Sequence, residues 1–339
     1  MRTPIVLSTS RYTQLAASIA GLLSGNESQG TSPVDAAVFR DRFPDGETYL
    51  RVDRPVHGEH VVIVGATRTA DELLEIVSLA WQVVRDGAQR LSLVIPYFGY
   101  STMERAVRAG EVVRAKVNAT ILSSIPNPPG GKTVFLVDLH AEGIQHYFEG
   151  NTSVVHLYAK GALLSKVHEL LGGFAQPLVV GSADTGRAKW VESYANEMAA
   201  EIAIITKRRH DGSTTEILNV GGADVRNKVV LLYDDMIRSG GSIVKAAEAY
   251  RRAGAARVLV ACTHLVLTDG VESSTLGKVL ACADALITTD SIRPCTEYVG
   301  PLGSPKVHCV SLAHLCAMAV KAGGRYDEPV RKTNLPRIQ

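Results

Sequence analysis

Short apolar runs alternate with segments of helical period from one end of this chain to the other, the signature of parallel sheets built from βαβ units. The runs read as strands at Val61–Val64, Leu91–Ile95, Val134–Asp138, Val154–Leu157, Leu178–Val180, Ile202–Thr206, Val229–Tyr233, Val258–Cys262, Leu286–Thr289 and Val307–Val310. Most are continuous Val, Ile and Leu, as expected of strands covered on both faces. Between them, Ser10 to Leu23 places Leu15, Ile19, Leu22 and Leu23 on one helical face. Thr69-Ala70-Asp71-Glu72 is a capping box ahead of Leu73, Ile76, Val77, Ala80 and Val84, and Gly87 closes that helix. So many strands exceed one comfortable sheet of about five or six. A break near Leu157 to Ala162 gives two halves of ordinary domain size, 1–158 and 159–339.

The most specific motif lies in the second half. Val229 to Tyr233 runs into Asp234 and Asp235, then into the turn Arg238-Ser239-Gly240-Gly241-Ser242. Ile243, Val244, Ala246, Ala247 and Tyr250 follow as the apolar stripe of a helix that Ser242 caps. A small-residue turn opening a helix offers backbone N–H groups, the positive end of the helix and Ser hydroxyls, a combination suited to phosphate. The paired carboxylates accept hydrogen bonds from vicinal hydroxyls. A pentose 5-phosphate satisfies both halves; the alternative is an ordinary connector, because acids at strand ends are common.

Ligands of open parallel sheets gather beyond the carboxyl ends of the strands, and further polar candidates sit there. Val137-Asp138-Leu139-His140-Ala141-Glu142 echoes the acid-bearing strand end of the second half, as duplicated domains would. Leu178 to Ser182 leads into Ala183-Asp184-Thr185-Gly186-Arg187, where Asp184 suits a metal-bridged phosphate or, read alone, an N-cap. Lys207-Arg208-Arg209 follows another strand and suits a transferring phosphoryl group; in isolation it reads as a solvated loop. Gly130-Gly131-Lys132-Thr133 resembles half of a phosphate-binding nucleotide loop, but its first glycine position is Pro126 and a strand follows, so that reading is rejected.

Composition narrows the ligand class. The chain is 46% hydrophobic and 21% charged, with a formal net charge of +2 and no long cationic run, which leaves nucleic acid without support. No segment approaches the roughly eighteen apolar residues of a membrane span, so a cytoplasmic protein with small ligands is expected. Cys262, Cys282, Cys295, Cys309 and Cys316 lack metal-site spacing and read as small buried hydrophobes, with their odd number arguing against a disulfide framework.

Taken in order, Phe43-Pro44-Asp45-Gly46-Glu47, Val94-Ile95-Pro96-Tyr97-Phe98-Gly99-Tyr100, and the segments at His140, Asp184, Lys207 to Arg209 and Asp234 to Ser242 resemble the ribose-phosphate diphosphokinase (PRPP synthetase) family over nearly the whole chain. The resemblance implies an α/β fold of two tandem phosphoribosyltransferase-like domains, each a mostly parallel sheet flanked by helices. It implies transfer of the diphosphoryl group of Mg-ATP to the anomeric hydroxyl of ribose 5-phosphate, giving PRPP and AMP, with the nucleotide between the domains. By it, Asp234, Asp235, Ser239, Gly240, Gly241 and Ser242 hold the sugar phosphate. Phe43, Asp45 and Glu47 contact the nucleotide, His140 and Asp184 hold Mg²⁺, and Lys207 and Arg209 are catalytic. It further implies a homo-oligomer whose nucleotide site is shared between subunits. The chain departs from the family at Thr102-Met103-Glu104, where Arg-Gln-Asp is common, at Gly110, and at Arg238 in the sugar motif. It therefore reads as a divergent member. A silent associated subunit and a nucleobase phosphoribosyltransferase are the alternatives, the second disfavoured by two domains.

Overall fold

A computed structural model describes residues 2–25, 37–172, 177–183, 188–209, 215–267, 274–299 and 304–323. They form two compact units, which divide at Ala159 and Lys160.

In the first unit, β1 (Ile5–Ser8), β4 (His60–Val64), β5 (Arg90–Ile95), β6 (Lys132–Val137) and β7 (Thr152–Leu157) lie in that order as a sheet with every neighbouring pair parallel. Alternate residues of the strands, Ile5, Leu7, Val61, Ile63, Leu91 and Leu93 among them, pack with α2 (Ala70–Arg85) and α3 (Arg114–Ser123). The intervening Val6, Val62, Val64 and Val94 are buried as well. They explain the continuous apolar runs, since a strand covered on both faces has no side to spare for polar residues. α1 (Thr13–Ser24) packs with α9 (Ala313–Lys321), and between them these helices meet β1, β4 and β7. Residues assigned from sequence to the second half thus include a helix grouped with the first unit. Thr69 caps α2 by accepting the Glu72 N–H at 3.2 Å, as its sequence required.

An antiparallel hairpin, β2 (Val38–Arg42) and β3 (Thr48–Val52), stands apart from this sheet. Neither it nor the short β1 figured among the expected strands. Its rungs carry Arg40, Asp41, Arg42 and Arg51, and the continuous apolar signature is therefore missing.

The rejected nucleotide-loop fragment has a structural use. Lys132, the first residue of β6, is 1% exposed and donates to the carbonyls of Leu122 at 3.2 Å, Ser123 at 2.9 Å and Ile125 at 2.5 Å. A cation thereby satisfies the orphan carbonyls at the C-terminus of α3.

The second unit is a seven-stranded sheet in the order β10 (Thr215–Gly222), β9 (Glu201–Arg209), β8 (Leu178–Ser182), β11 (Val229–Ile237), β12 (Arg257–Leu265), β13 (Ala285–Thr289), β14 (Val307–Val310). All pairings are parallel except β9 with β10. Val230, Leu232, Val258, Val260 and Leu286 pack against α6 (Gly241–Arg252) and α7 (Ser274–Cys282). Leu231, Tyr233, Leu259, Ala261 and Ile287 pack against α4 (Lys160–Leu171) and α5 (Ala188–Met198) on the other face. Gly181 is the contact point of α6: Tyr250 lies so close that a Cβ on Gly181 would stand 2.8 Å from its ring, and the Tyr250 hydroxyl donates to the Ser182 and Ala203 carbonyls at 3.1 and 2.9 Å.

The cysteines correct the sequence reading. Cys295, opening α8 (Cys295–Val299), is disulfide-bonded to Cys309 of β14, while Cys262 and Cys316 are free and buried and Cys282 is free and half-buried. Proximity in the fold, which spacing did not reveal, decides the pairing.

Burial holds the Lys132 amine below its ordinary range, down to about 8. Between that value and the unfolded ~10.4, the unfolded chain binds more protons here, so this site's contribution to stability rises with pH across the window. Lys132→Met is expected to cost about 1–3 kcal/mol by orphaning the α3 carbonyls, and to remove that slope, as read by urea unfolding between pH 7 and 10.

Candidate active site

The order of the second sheet reverses beside β8. The chain goes outward from β8 to β9 and β10, then returns to lay β11 on the other side of β8. In an open parallel sheet the crevice at such a reversal, beyond the strand carboxyl ends, is where a ligand fits. The carboxyl ends of β8 and β11 carry two of the sequence-derived candidates.

β11 continues past its expected end at Tyr233 to Ile237, so Asp234 and Asp235 lie within the strand rather than after it. Successive strand residues point to opposite faces. Asp234 is accordingly half-buried and Asp235 only 4% exposed, and the Asp235 N–H donates to Asp234 Oδ1 at 3.0 Å. Two acids adjacent in sequence are thus distinct in environment. Cys262, opposite Asp234 on β12, has its thiol pushed up to about 12 by burial, with the charges of Asp234 and Asp235 adding to the effect. It is inert as a nucleophile.

Arg238 and Ser239 are exposed, and Gly240 turns the chain with φ +69. A Cβ there would stand 3.1 Å from Val279 Cγ2 and 3.2 Å from Thr275 Cγ2. Gly240 is itself the N-cap of α6, in place of the expected Ser242, and supplies no side-chain acceptor. The first N–H groups of α6 are consequently left for another acceptor, beside the exposed Gly241 and Ser242. Across the crevice, Ser182 is fully buried with no hydrogen-bond partner for its Oγ among the described residues. Asp184, two residues on, lies outside those residues. Lys207 and Arg209, expected in a loop, have their backbones in β9, in register with Ile217 and Thr215 of β10; their side chains also lie outside what is described.

In the first unit, Phe43, Asp45 and Glu47 form the hairpin tip. The Phe43 N–H donates to the Glu47 carbonyl at 2.8 Å, the Glu47 N–H to Asp45 Oδ1 at 3.1 Å, and Gly46 takes φ +96. Phe43 is 50% exposed, Phe39 43% and Tyr49 36%, with Tyr49 edge-on to both rings at 5.9–6.0 Å. Such an aromatic surface suits a nucleobase. His140 is half-buried beyond β6. Its segment is set by Asp138, a non-glycine residue at φ +38 whose carboxylate accepts the Ala159 N–H at 3.2 Å, and by the Leu139 N–H, which donates to His156 Nε2 at 2.9 Å. Strained backbone held by a buried acid is the kind of feature concentrated at functional positions. The turn after β5 is clamped too: Gly99 donates to Thr67 Oγ1 at 2.9 Å, and a Cβ on it would meet the Thr67 carbonyl oxygen at 2.1 Å. The next residue, Tyr100, takes φ +61 and has Arg114 over its ring at 5.0 Å. Sequence reading passed over Arg114; a helix that opens on a cation with no acid in its first turn is the signal that was available.

Comparison with known proteins agrees with this architecture. Residues 5–125 match the model of the N-terminal domain of ribose phosphate pyrophosphokinase, and residues 159–286 match the phosphoribosyl transferase domain. A ribose-phosphate pyrophosphokinase of Chlorobaculum tepidum is 32% identical over 95% of this chain and 92% of that protein. One from Vibrio vulnificus is 35% identical over 85% and 87%. This chain belongs to the ribose-phosphate pyrophosphokinase family. A crystal structure of phosphoribosylpyrophosphate synthetase from Mycobacterium smegmatis superposes with a TM-score of 0.77 at 25% identity, covering 96% of this chain and all of that one. The expected fold of two phosphoribosyltransferase-type domains stands, and the family's members are enzymes. Among the described residues, no helix is long and apolar enough to cross a membrane.

The turn at Gly240 gives a stability contrast. Gly240→Ala forces a side chain into the left-handed region and is expected to cost ~1–2 kcal/mol. Gly241→Ala, which meets nothing within 4 Å, should stay within about 0.5 kcal/mol of the parent in urea unfolding.

Proposed function

We propose that this protein transfers the diphosphoryl group of Mg-ATP to the anomeric hydroxyl of ribose 5-phosphate, releasing AMP and PRPP. The observation that carries the reading is the pairing, at the reversal point of the second sheet, of an acid-bearing strand end with a helix N-terminus that no side chain caps. Named activities of the family's members support it.

In this reading the N–H groups opening α6, with the Ser239 and Ser242 hydroxyls, take the 5-phosphate. The half-buried Asp234 accepts from the ribose hydroxyls, and Asp235 holds that acceptor in place from within the sheet. The anomeric oxygen attacks the β-phosphorus as its proton passes to solvent water, and the bond from the β-phosphorus to the oxygen bridging it to the α-phosphorus breaks, so that AMP departs carrying that oxygen. Lys207 and Arg209 steady the charge gathering on the bridging and departing oxygens, where positioning and electrostatics supply most of the rate.

His140 and Asp184 are the residues that would hold Mg²⁺ with its phosphates. Mg²⁺ takes oxygen ligands, keeps several waters and is bound through substrate phosphates with one or two carboxylates, so Asp184 would supply its carboxylate and the half-buried His140 would stand beside the metal-bound phosphates. When bound, the ion neutralises phosphate charge. Phe43, with Asp45 and Glu47 beside it, would take the adenine, and the exposed aromatic hairpin supports a homo-oligomer in which that tip serves a neighbouring copy.

Purified protein with Mg²⁺, ATP and ribose 5-phosphate is expected to yield AMP and PRPP in equal amounts by chromatography. Lys207→Ala should lower turnover about 10²-fold or more with an unchanged circular dichroism spectrum. ADP and orthophosphate as the only products, or no AMP at all, would overturn the assignment.

A further inference from the structure

Arg114 is a cation in the wrong place for helix stability. It is the first residue of α3, where the aligned peptide dipoles already present positive charge, and the first turn of α3 holds no acid. Its N-cap, Val113, offers no side-chain acceptor, and the next two N–H groups are taken by backbone carbonyls, Ala115 by Met103 at 3.3 Å and Lys116 by Val113 at 3.1 Å. The guanidinium rests over the Tyr100 ring at 5.0 Å, and its buried Nε has no hydrogen-bond partner among the described residues. One helical turn further, Asn118 is 1% exposed, with neither its Oδ1 nor its Nδ2 hydrogen-bonded among those residues. Residues four apart share a helix face, and the Cα–Cβ bond of a helical residue leans toward the N-terminus, so Asn118 tilts toward Arg114. A cation whose Nε is unspent and an unspent buried amide one turn along the same helix face suit an anion.

The location says which anion. Tyr100 belongs to the turn beyond the carboxyl end of β5, and the next strand, β6, carries His140 beyond its own end. The helical turn Glu142–Tyr147, just after His140, packs against α3, and the Tyr147 hydroxyl donates to the Glu104 carbonyl at 2.5 Å. Arg114 thus stands at the sheet edge that bears His140, the magnesium candidate of this unit. Thr102, Met103 and Glu104 contribute no cation there, and Arg105 is exposed and lies 3.5 Å from the Glu104 carboxylate. We infer that Arg114, steadied by Tyr100, binds the phosphate chain of the nucleoside triphosphate. This rests on the proposed function for the identity of the nucleotide.

The test is Mg-ATP binding by titration calorimetry without ribose 5-phosphate, together with steady-state kinetics, for the parent, Arg114→Met and Arg114→Gln. Both variants are expected to bind ATP at least about tenfold more weakly, with the KM for ribose 5-phosphate unchanged, because a charge-assisted hydrogen bond is lost. Thermal unfolding without ligand should be unchanged or raised, as an uncompensated cation is removed; that two-variant set keeps the result readable if one fails to fold. Parent-like ATP affinity in a folded variant, or weakened binding of inorganic phosphate alone with ATP unaffected, overturns the inference while leaving AMP and PRPP formation intact. Arg114-dependent ATP binding in a protein that makes no PRPP would sustain the inference and sink the proposed reaction.

Discussion

A strand covered on both faces has to leave its sheet and come back as a helix, and here it does so through Gly240. The left-handed φ of that residue, together with the crowding of Val279 and Thr275 around its absent Cβ, leaves glycine as the sole unstrained choice. Because glycine has no side chain, the helix it opens begins uncapped. One packing constraint thereby produces both a tight strand-to-helix reversal and a set of N–H donors waiting for an oxygen. The remainder of the second unit places that reversal: β8 and β11 are neighbours although the chain visits β9 and β10 in between.

Much of the fold was legible because it is doubly buried. Val61 to Val64 and Val229 to Tyr233 announce themselves, since neither face tolerates a polar residue. The β2–β3 hairpin was illegible for the opposite reason: both its faces are largely open, and Arg40, Asp41 and Arg51 erase any apolar signature. The end of β11 was misplaced by the same logic, because the carboxylates of Asp234 and Asp235 read as the close of a strand that continues beneath them to Ile237. Ser242 looked like a cap because hydroxyl residues usually are, but the cap position belongs to Gly240. Cys295 and Cys309 lie fourteen residues apart in sequence, and only the packing of α8 on β14 brings them together.

The candidate site was readable in parts. Its motifs follow strand ends, and their order resembles one family, so the positions of Asp234, Ser239 and His140 were set out from sequence alone. What sequence left invisible is environment. The half-exposure of Asp234 against the burial of Asp235, the strained φ of Asp138 and the bond from Ala159 that holds it arise only when distant segments meet. Arg114 escaped notice because α3 carries little amphipathic pattern, and Lys132 drew attention as a mimic of a phosphate-binding lysine when its amine is fully occupied with α3 carbonyls.

The helix α9 lies against α1, with Lys321 donating to the Leu22 carbonyl at 2.9 Å and Arg90 to the Gly323 carbonyl at 2.6 Å. In order of synthesis these partners are separated by about the whole chain. The first unit therefore leaves the ribosome with an apolar flank of α1 uncovered, and α9, the last helix among the described residues, is the one that covers it. Until α9 is made, that flank is transiently exposed apolar surface of the kind that invites misassembly.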